Sequence, residues 1–293
     1  MKARGLLIYE EEHAKKNKAF IEWFLDEAAK LEIELGFILQ SRISFGVHNN
    51  QLVLLLGDAP LSEPPDFVIM RNIDPLFNEQ LERMRIPCFN SHHVSVICND
   101  KARTHQYLAG KGIPMLDTYF MEADELLTGN LPLPMPFIIK TRTGRGGGDI
   151  YMVEDLGQLE AVQDQLSNQS IILQPLAGSP GKDLRVYVLG RKVVGAVLRS
   201  NKNSFKANFT LGGQAEAYTL SKEELIVVNK IIEQFDFGLV GIDFLFDENG
   251  GLLFNEIEDV VGCRTLCLTS DINIVKRYLE IILQKLGLGG EPT

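Results

Sequence analysis

The apolar positions of this chain fall into short unbroken runs, separated by longer segments in which they recur at helical spacing. Residues 6–9 predict a first strand, and residues 17–35 predict a helix, with Phe20, Trp23, Phe24 and Leu31 set among Lys and Glu. A second strand is expected over 33–39, overlapping the end of that helix. Asn49-Asn50 separates the runs 43–47 and 52–56 as a hairpin turn would. After Pro64-Pro65 a short buried strand resumes over 66–70. Strands and helices in alternation predict a small doubly wound α/β domain over residues 1–98. His92 and His93 are adjacent, so on a strand they would face apart.

Asp100 is placed to cap a helix over 101–108, which Gly110, Gly112 and Pro114 end. The proline-rich stretch 131–136 leads stiffly into a strand over 137–140. A Gly-rich turn over 143–149, a strand over 150–153, a helix over 156–166 and a strand over 170–174 follow. Residues 184–189 and 192–198 flank Gly190-Arg191 as a hairpin. Ser221 and Glu224 read as a capping box, opening a helix with Leu225, Val228, Ile232 and Phe235 inward. Strands over 239–246 and 252–258 are joined by the turn 247–251. A last helix over 272–286 precedes a tail at 289–293.

Composition narrows the function. The 293 residues carry 29 Lys and Arg against 39 Asp and Glu, a net charge of −10, which disfavours sequence-independent binding to nucleic acid. No apolar run approaches the ~18 residues that span a bilayer. Four cysteines without a CxxC pair suggest a reducing, cytoplasmic setting. A soluble two-domain enzyme with neither nucleic-acid nor membrane partners is expected.

Candidate chemistry lies in three sets of residues. The turn Thr143-Gly144-Arg145-Gly146-Gly147-Gly148-Asp149 could curl its backbone N–H groups around phosphates, with Lys140 and Arg145 beside it. It is neither a P-loop nor a GxGxxG fingerprint, and a flexible β-turn is the alternative. Asp243, Glu256 and Glu258 form the second set. On a regular strand Glu256 and Glu258 share one face, while Asn255 and Ile257 take the other. Carboxylates converging there are costly unless a divalent cation neutralises them, and an oxygen-only set suits Mg²⁺. Solvent-facing acids are the alternative. The third set is the cations Lys101, Lys140, Arg185, Arg199 and Lys206, placed at strand starts and beside Gly-rich turns. Zinc spacing is absent around Cys263 and Cys267.

Taken in order, these segments resemble an ATP-grasp ligase of the RimK type, which joins amino acids through an acyl phosphate. The resemblance runs from about residue 90 to 286. It rests on Asn99-Asp100-Lys101, Ile139-Lys140 with the Gly-rich loop, and Gln174-Pro175-Leu176 with Asp183-Leu184-Arg185. Lys206-Ala207-Asn208 with Gly212-Gly213, Gly241-Ile242-Asp243, and Asn255-Glu256-Ile257-Glu258 with Gly262 complete it.

The resemblance implies an ATP-grasp fold of two α+β subdomains, about 99–170 and 171–288, behind a pre-ATP-grasp domain. It implies ATP with Mg²⁺ or Mn²⁺ as cofactors. Lys101, Lys140 and the loop residues Gly144, Arg145, Gly146 and Gly147 would contact phosphates. Gln174 and Leu176 would border adenine, with Asp183 on the ribose side. Lys206, Arg185 and Asn208 would serve the transferring phosphoryl group, and Asp243, Glu256 and Glu258 would carry metal. Substrates would be small-molecule, peptide or protein carboxylates and amines, glutamate among them, and a homo-oligomer is compatible. The family commonly has Asn at the position of Glu258, a small-Ser-Pro-Gly turn where this chain has Asp259-Val260-Val261-Gly262, and an acidic residue at Pro175. A nucleotide-binding protein without ligase activity, and a kinase acting on a hydroxyl, share the same residues as alternatives.

Overall fold

In the computed structural model, which describes every residue except 1, 62, 129, 145, 147, 203, 207–212 and 290–293, the first apolar run lies in strand β1 (Arg4–Tyr9). Two helices follow, α1 (Glu11–Lys16) and α2 (Lys18–Lys30). The helix expected over 17–35 stops at Lys30, because Glu32 takes a positive φ of 57°. That turn delivers β2 (Glu34–Leu39) parallel to β1. β3 (Ile43–His48) and β4 (Gln51–Leu56) form the expected hairpin. Asn49 and Asn50 both sit at positive φ, 47° and 60°, the twist that a two-residue hairpin needs. β5 (Ala59–Pro60) adds a short third strand. The buried β6 (Phe67–Met70) pairs on the other side of β1. α3 (Pro75–Arg83), β7 (Cys88–Phe89) and α4 (His92–Cys98) complete a parallel sheet ordered β2-β1-β6-β7 with its helices. His92 and His93 thus lie on a helix capped by the Ser91 side chain, which corrects their placement on a strand.

The side chain of Asp100 accepts a hydrogen bond from Arg103 N and opens α5 (Lys101–Leu108), as expected. β8 (Tyr119–Glu122), β9 (Phe137–Thr141), β10 (Ile150–Val153), α6 (Leu156–Leu166) and β11 (Ser170–Pro175) follow. Their strands form an antiparallel sheet ordered β10-β9-β11-β8. β12 (Lys182–Leu189), β13 (Lys192–Ser200) and β14 (Gln214–Ala217) precede α7 (Lys222–Ile232), which the Ser221–Glu224 capping box opens. β15 (Leu239–Phe246) and β16 (Leu252–Glu258) complete a five-stranded antiparallel sheet ordered β14-β13-β12-β15-β16. α8 (Arg264–Thr269) and α9 (Ile274–Lys285) end the chain. The architecture is the mixed α/β one that the sequence predicts. No helix among the described residues is long and apolar enough to cross a membrane.

Packing ties the front sheet to the back one. A single apolar cluster holds Leu7, Tyr9, Phe24 and Phe67 from the front together with Tyr187, Leu189, Tyr278 and Leu279. A second cluster, with Val186, Val188, Ile242, Phe244, Phe254 and Ile257, fills the far side of the five-stranded sheet against α7. Alternation along β12, β15 and β16 therefore sends one set of side chains into that core and leaves the other set for polar work.

One side chain fastens the two parts. Buried Asn90 donates from Nδ2 to Leu239 O at 2.9 Å and to Asp259 Oδ1 at 2.6 Å, and its Oδ1 accepts from Gly238 N at 2.5 Å. Replacing its side chain removes all of these buried hydrogen bonds at once. Asn90→Ala is expected to lower stability by about 2–4 kcal/mol in urea denaturation, whereas Asn50→Ala at the exposed hairpin is expected to cost less.

Candidate functional site

Strand register assembles the charged residues in a row. Arg185 on β12, Asp243 on β15 and Glu256 on β16 are neighbours across three strands. Asp183 on β12 faces Arg199 on β13. Between Asp243 and Phe244 the register of β15 against β16 shifts, with Asp243 opposite Glu256 and Phe244 opposite Phe254. Asn255 is thus the extra residue of a bulge. Regular alternation puts Asn255 on the face opposite Glu256, and the bulge corrects this. Asn255 and Glu256 line the same cleft, and Asn255 Oδ1 accepts from Lys140 Nζ at 2.6 Å.

The expected acid set comes together. Carboxylate oxygens of Asp243, Glu256 and Glu258 lie within 4.8 Å of one another. Side-chain cations already meet them. Arg185 holds both oxygens of Asp243, at 2.7 and 2.6 Å, and lies 2.8 Å from Glu258. Arg199 reaches Asp243 at 2.9 Å and holds Asp183 at 2.5 and 2.8 Å. Lys101 Nζ donates to Gly144 O and lies 3.3 Å from Glu256. Contrary to expectation, a divalent cation is therefore not the one way to make such a cluster tolerable, because the chain carries its own counter-ions. The oxygen donors still suit Mg²⁺, with Arg185 sharing two of the three ligands.

These contacts set the protonation states. Burial alone would raise the Asp243 carboxyl, but the Arg185 and Arg199 charges outweigh it and lower its pKa to about 2. For Glu256, burial is again overcome, here chiefly by Lys101. Asp183 goes the other way, raised to about 6 by burial that Arg199 only partly offsets. Burial lowers Lys140 to about 8 against the opposing pull of Glu256.

An open cleft of about 700 Å³ lies against this row. Its apolar walls come from Leu116, Ile138, Leu176 and Leu245, and Lys140, Asp183, Arg199 and Lys206 also line it. Gln174 borders it, donating to Thr118 at 2.9 Å, while its own Oε1 is buried without a partner. A smaller cleft of about 320 Å³ holds Lys101, Gly144, Gly146, Glu256 and Glu258, so Glu256 stands where the two meet. Gly144 approaches closely enough that a Cβ would lie 2.0 Å from Thr141 Oγ1. Arg145, Gly147 and Asn208 lie outside the described residues. Arg199, one of the cations expected from the sequence, pairs with Asp183 in a direct cross-strand contact that the sequence alone does not specify. His105, which has no ligand spacing in the sequence, is buried beside the cleft, with Nδ1 2.8 Å from Lys101 O and Nε2 3.2 Å from Gln174.

Two expectations follow from this geometry. Arg185→Leu strips Glu258 of its ion-pair partner and leaves Asp243 with one cation, so it should cost about 3–5 kcal/mol in denaturant titrations. Burial lowers His105 from 6.5 to about 4. The unfolded chain therefore takes up this proton first, and stability falls as pH drops through that interval. The loss is on the order of 3 kcal/mol, and a His105→Gln variant, read by thermal melts across that range, should show a correspondingly shallower slope.

Comparison with known proteins gives the family. Residues 98–282, more than half of the chain, match the RimK-like ATP-grasp domain. The chain is 26% identical over 288 residues to the uncharacterised protein MG011 of Mycoplasma genitalium, covering 96% of this chain and 93% of that one. It is 23% identical over 245 residues to the alpha-aminoadipate–LysW ligase LysX of Saccharolobus solfataricus, covering 80% and 89%. The ATP-grasp ligase PsnB, solved with a phosphomimetic variant of its minimal precursor, Mg and ADP, shares the fold at a TM-score of 0.70 and 15% identity, covering 97% and 99%. The chain belongs to the RimK-like ATP-grasp family of ligases.

Proposed function

We propose that this protein is an ATP- and Mg²⁺-dependent carboxylate–amine ligase that forms an amide bond through an acyl phosphate. An amino acid, glutamate among the candidates, would be one substrate. The observation that carries this reading is the cleft itself. It combines apolar walls and an unpartnered Gln174 carbonyl with Lys140, Lys206 and Glu256. That arrangement suits a flat base with a polyphosphate.

A carboxylate is a poor acyl donor, because it repels nucleophiles and has no usable leaving group. In the proposed sequence one of its oxygens attacks the γ-phosphorus and ADP departs. The amine then attacks the acyl carbon, inorganic phosphate leaves, and the nitrogen loses a proton. The chain's task is to position these groups and to offset charge. Lys101 and Lys140 would bind phosphate oxygens, with the loop of Gly144, Arg145, Gly146 and Gly147 closing over them. Gln174 Oε1 can accept from the base, whose edge would lie along Leu176. Asp183 would face the ribose while both its oxygens stay on Arg199. Lys206, Arg185 and Asn208 would serve the phosphoryl group in transfer. Asp243, Glu256 and Glu258 would hold Mg²⁺, which supplies Lewis-acid polarisation of the phosphates. Glu258 brings no unbalanced charge, since Arg185 lies 2.8 Å away.

The test is ADP release over pairs of acids and amines, peptides included, with hydroxylamine as a trap. Hydroxamate is expected, because only an acyl phosphate yields it; phosphorylation of a hydroxyl would give ADP without it. Tight Mg-ATP binding with no turnover across the panel would favour a non-catalytic protein. Lys140→Ala should reduce turnover by about a thousandfold or more, and Glu256→Ala should raise the Mg²⁺ requirement. Normal activity in both variants would sink the assignment.

A further inference from the structure

The front sheet carries polar groups that the ATP site does not use. Its four strands are parallel and ordered β2-β1-β6-β7. The chain runs outward from β1 to β2 and then returns across β1 to β6, so the strand order reverses between β1 and β6. In open parallel sheets the crevice at the carboxyl ends of such a strand pair is where ligands bind. β1 ends there at Tyr9, and β6 ends at Met70, with Arg71 and Asn72 next along the chain.

Both of these residues are buried, at 6% and 2% exposure, and neither is satisfied. Arg71 Nε donates to Tyr9 Oη at 3.4 Å and Nη2 to Val261 O at 2.8 Å, and the guanidinium lies 5.4 Å from the centre of the Phe20 ring. No carboxylate stands within ion-pair distance of it among the described residues, whereas Arg185 and Arg199 each hold carboxylates. Both Nδ2 and Oδ1 of Asn72 lack partners. A buried guanidinium without an acid is costly to keep, and a buried amide with both ends unused adds to that cost.

The position relative to the acid row is defined. Val261, which Arg71 holds, comes three residues after Glu258. Gly241, the cross-strand neighbour of Glu258, packs against both Val261 and Arg185; a Cβ there would lie 2.7 Å from Val261 Cγ2 and 3.4 Å from Arg185 Cδ.

We propose that Arg71 and Asn72 form a recognition site for a free carboxylate of the amino-acid substrate, distinct from the carboxylate or amine that reacts. The unused edge of the guanidinium supplies the planar donors that a carboxylate takes. The Asn72 amide offers one further donor, and an acceptor for an N–H of the same amino-acid head group. For its substrate class the proposal rests on the ligase reading.

Calorimetry on the full chain tests it without turnover. The probes are the twenty amino acids, the α-carboxamide of any that binds, and inorganic phosphate, each with and without MgADP. Expected is binding of at least one amino acid, weakened roughly thirtyfold or more by Arg71→Met and by the α-carboxamide, with MgADP affinity kept within about twofold. Arg71→Lys, which keeps the charge and loses the fork, should fall between. Asn72→Asp is isosteric and puts an anion beside the guanidinium, so it should abolish amino-acid binding even if Arg71→Met fails to fold. The proposal is overturned if Arg71→Met binds the amino acid like the wild type, if no amino acid binds, or if phosphate alone depends on Arg71. Failure of the wild type to bind MgADP would instead strike the ligase reading, and the amino-acid arm without nucleotide would still decide this one.

Discussion

Everything around the site depends on one buried carboxylate, Asp243, held by two arginines. It is 1% exposed, and it takes hydrogen bonds from Arg185 on one side and Arg199 on the other. The pairing is fixed by strand register, since Arg185 and Glu256 are its neighbours on β12 and β16. A slip of one residue would turn these side chains into the apolar layer of Val186, Ile242 and Phe254. The core therefore enforces the register, and the register assembles the site. This is a tighter constraint than the acids alone would impose, because each must find a cation from a different element.

Charge balance explains how an acidic protein can receive a polyanion. Asp183, Asp243, Glu256 and Glu258 are met by Lys101, Lys140, Arg185 and Arg199, within one row and its adjoining cleft. The net charge of −10 is a property of the remaining surface. Because the clustered charges offset each other, the acids already have counter-charges from the chain's own side chains.

Features carried by neighbours in sequence were legible. Asp100 as a cap, the Ser221–Glu224 box, the Asn49-Asn50 turn and the spacing of Glu256 and Glu258 need only a few residues to specify them, and each reads directly. The acid set was legible as a cluster, because the hairpin turn that joins β15 to β16 is local. The bulge at Asn255 was not, since it depends on what the opposite strand offers at that level, and no spacing within 252–258 records it. Arg199 and Asp183 lie 16 positions apart, and Arg185 and Asp243 lie 58 apart. Such pairs become visible only when the sheet order is known. The placement of His92 and His93 failed for a different reason. α4 has seven residues and a weak apolar pattern, and only the Ser91 cap marks its start.

The turn 259–262 shows how a departure from the family's usual residues is absorbed. Asp259 would be an added buried acid next to Glu258, yet its oxygens accept from Asn90 at 2.6 Å and from Asn99 at 2.9 Å. Val261 O accepts from Arg71, and Gly262 O from Tyr187 at 3.1 Å. The turn is thus held from the front sheet, from the start of the ATP-grasp region and from β12 together. Its residues are tied to Asn90, Asn99 and Arg71, because a small-Ser-Pro-Gly turn here would remove the side-chain acceptor that the two asparagine amides share. The front sheet and the acid strand are therefore joined through this turn, with Arg71 at the end of β6 holding a carbonyl three residues of backbone from Glu258.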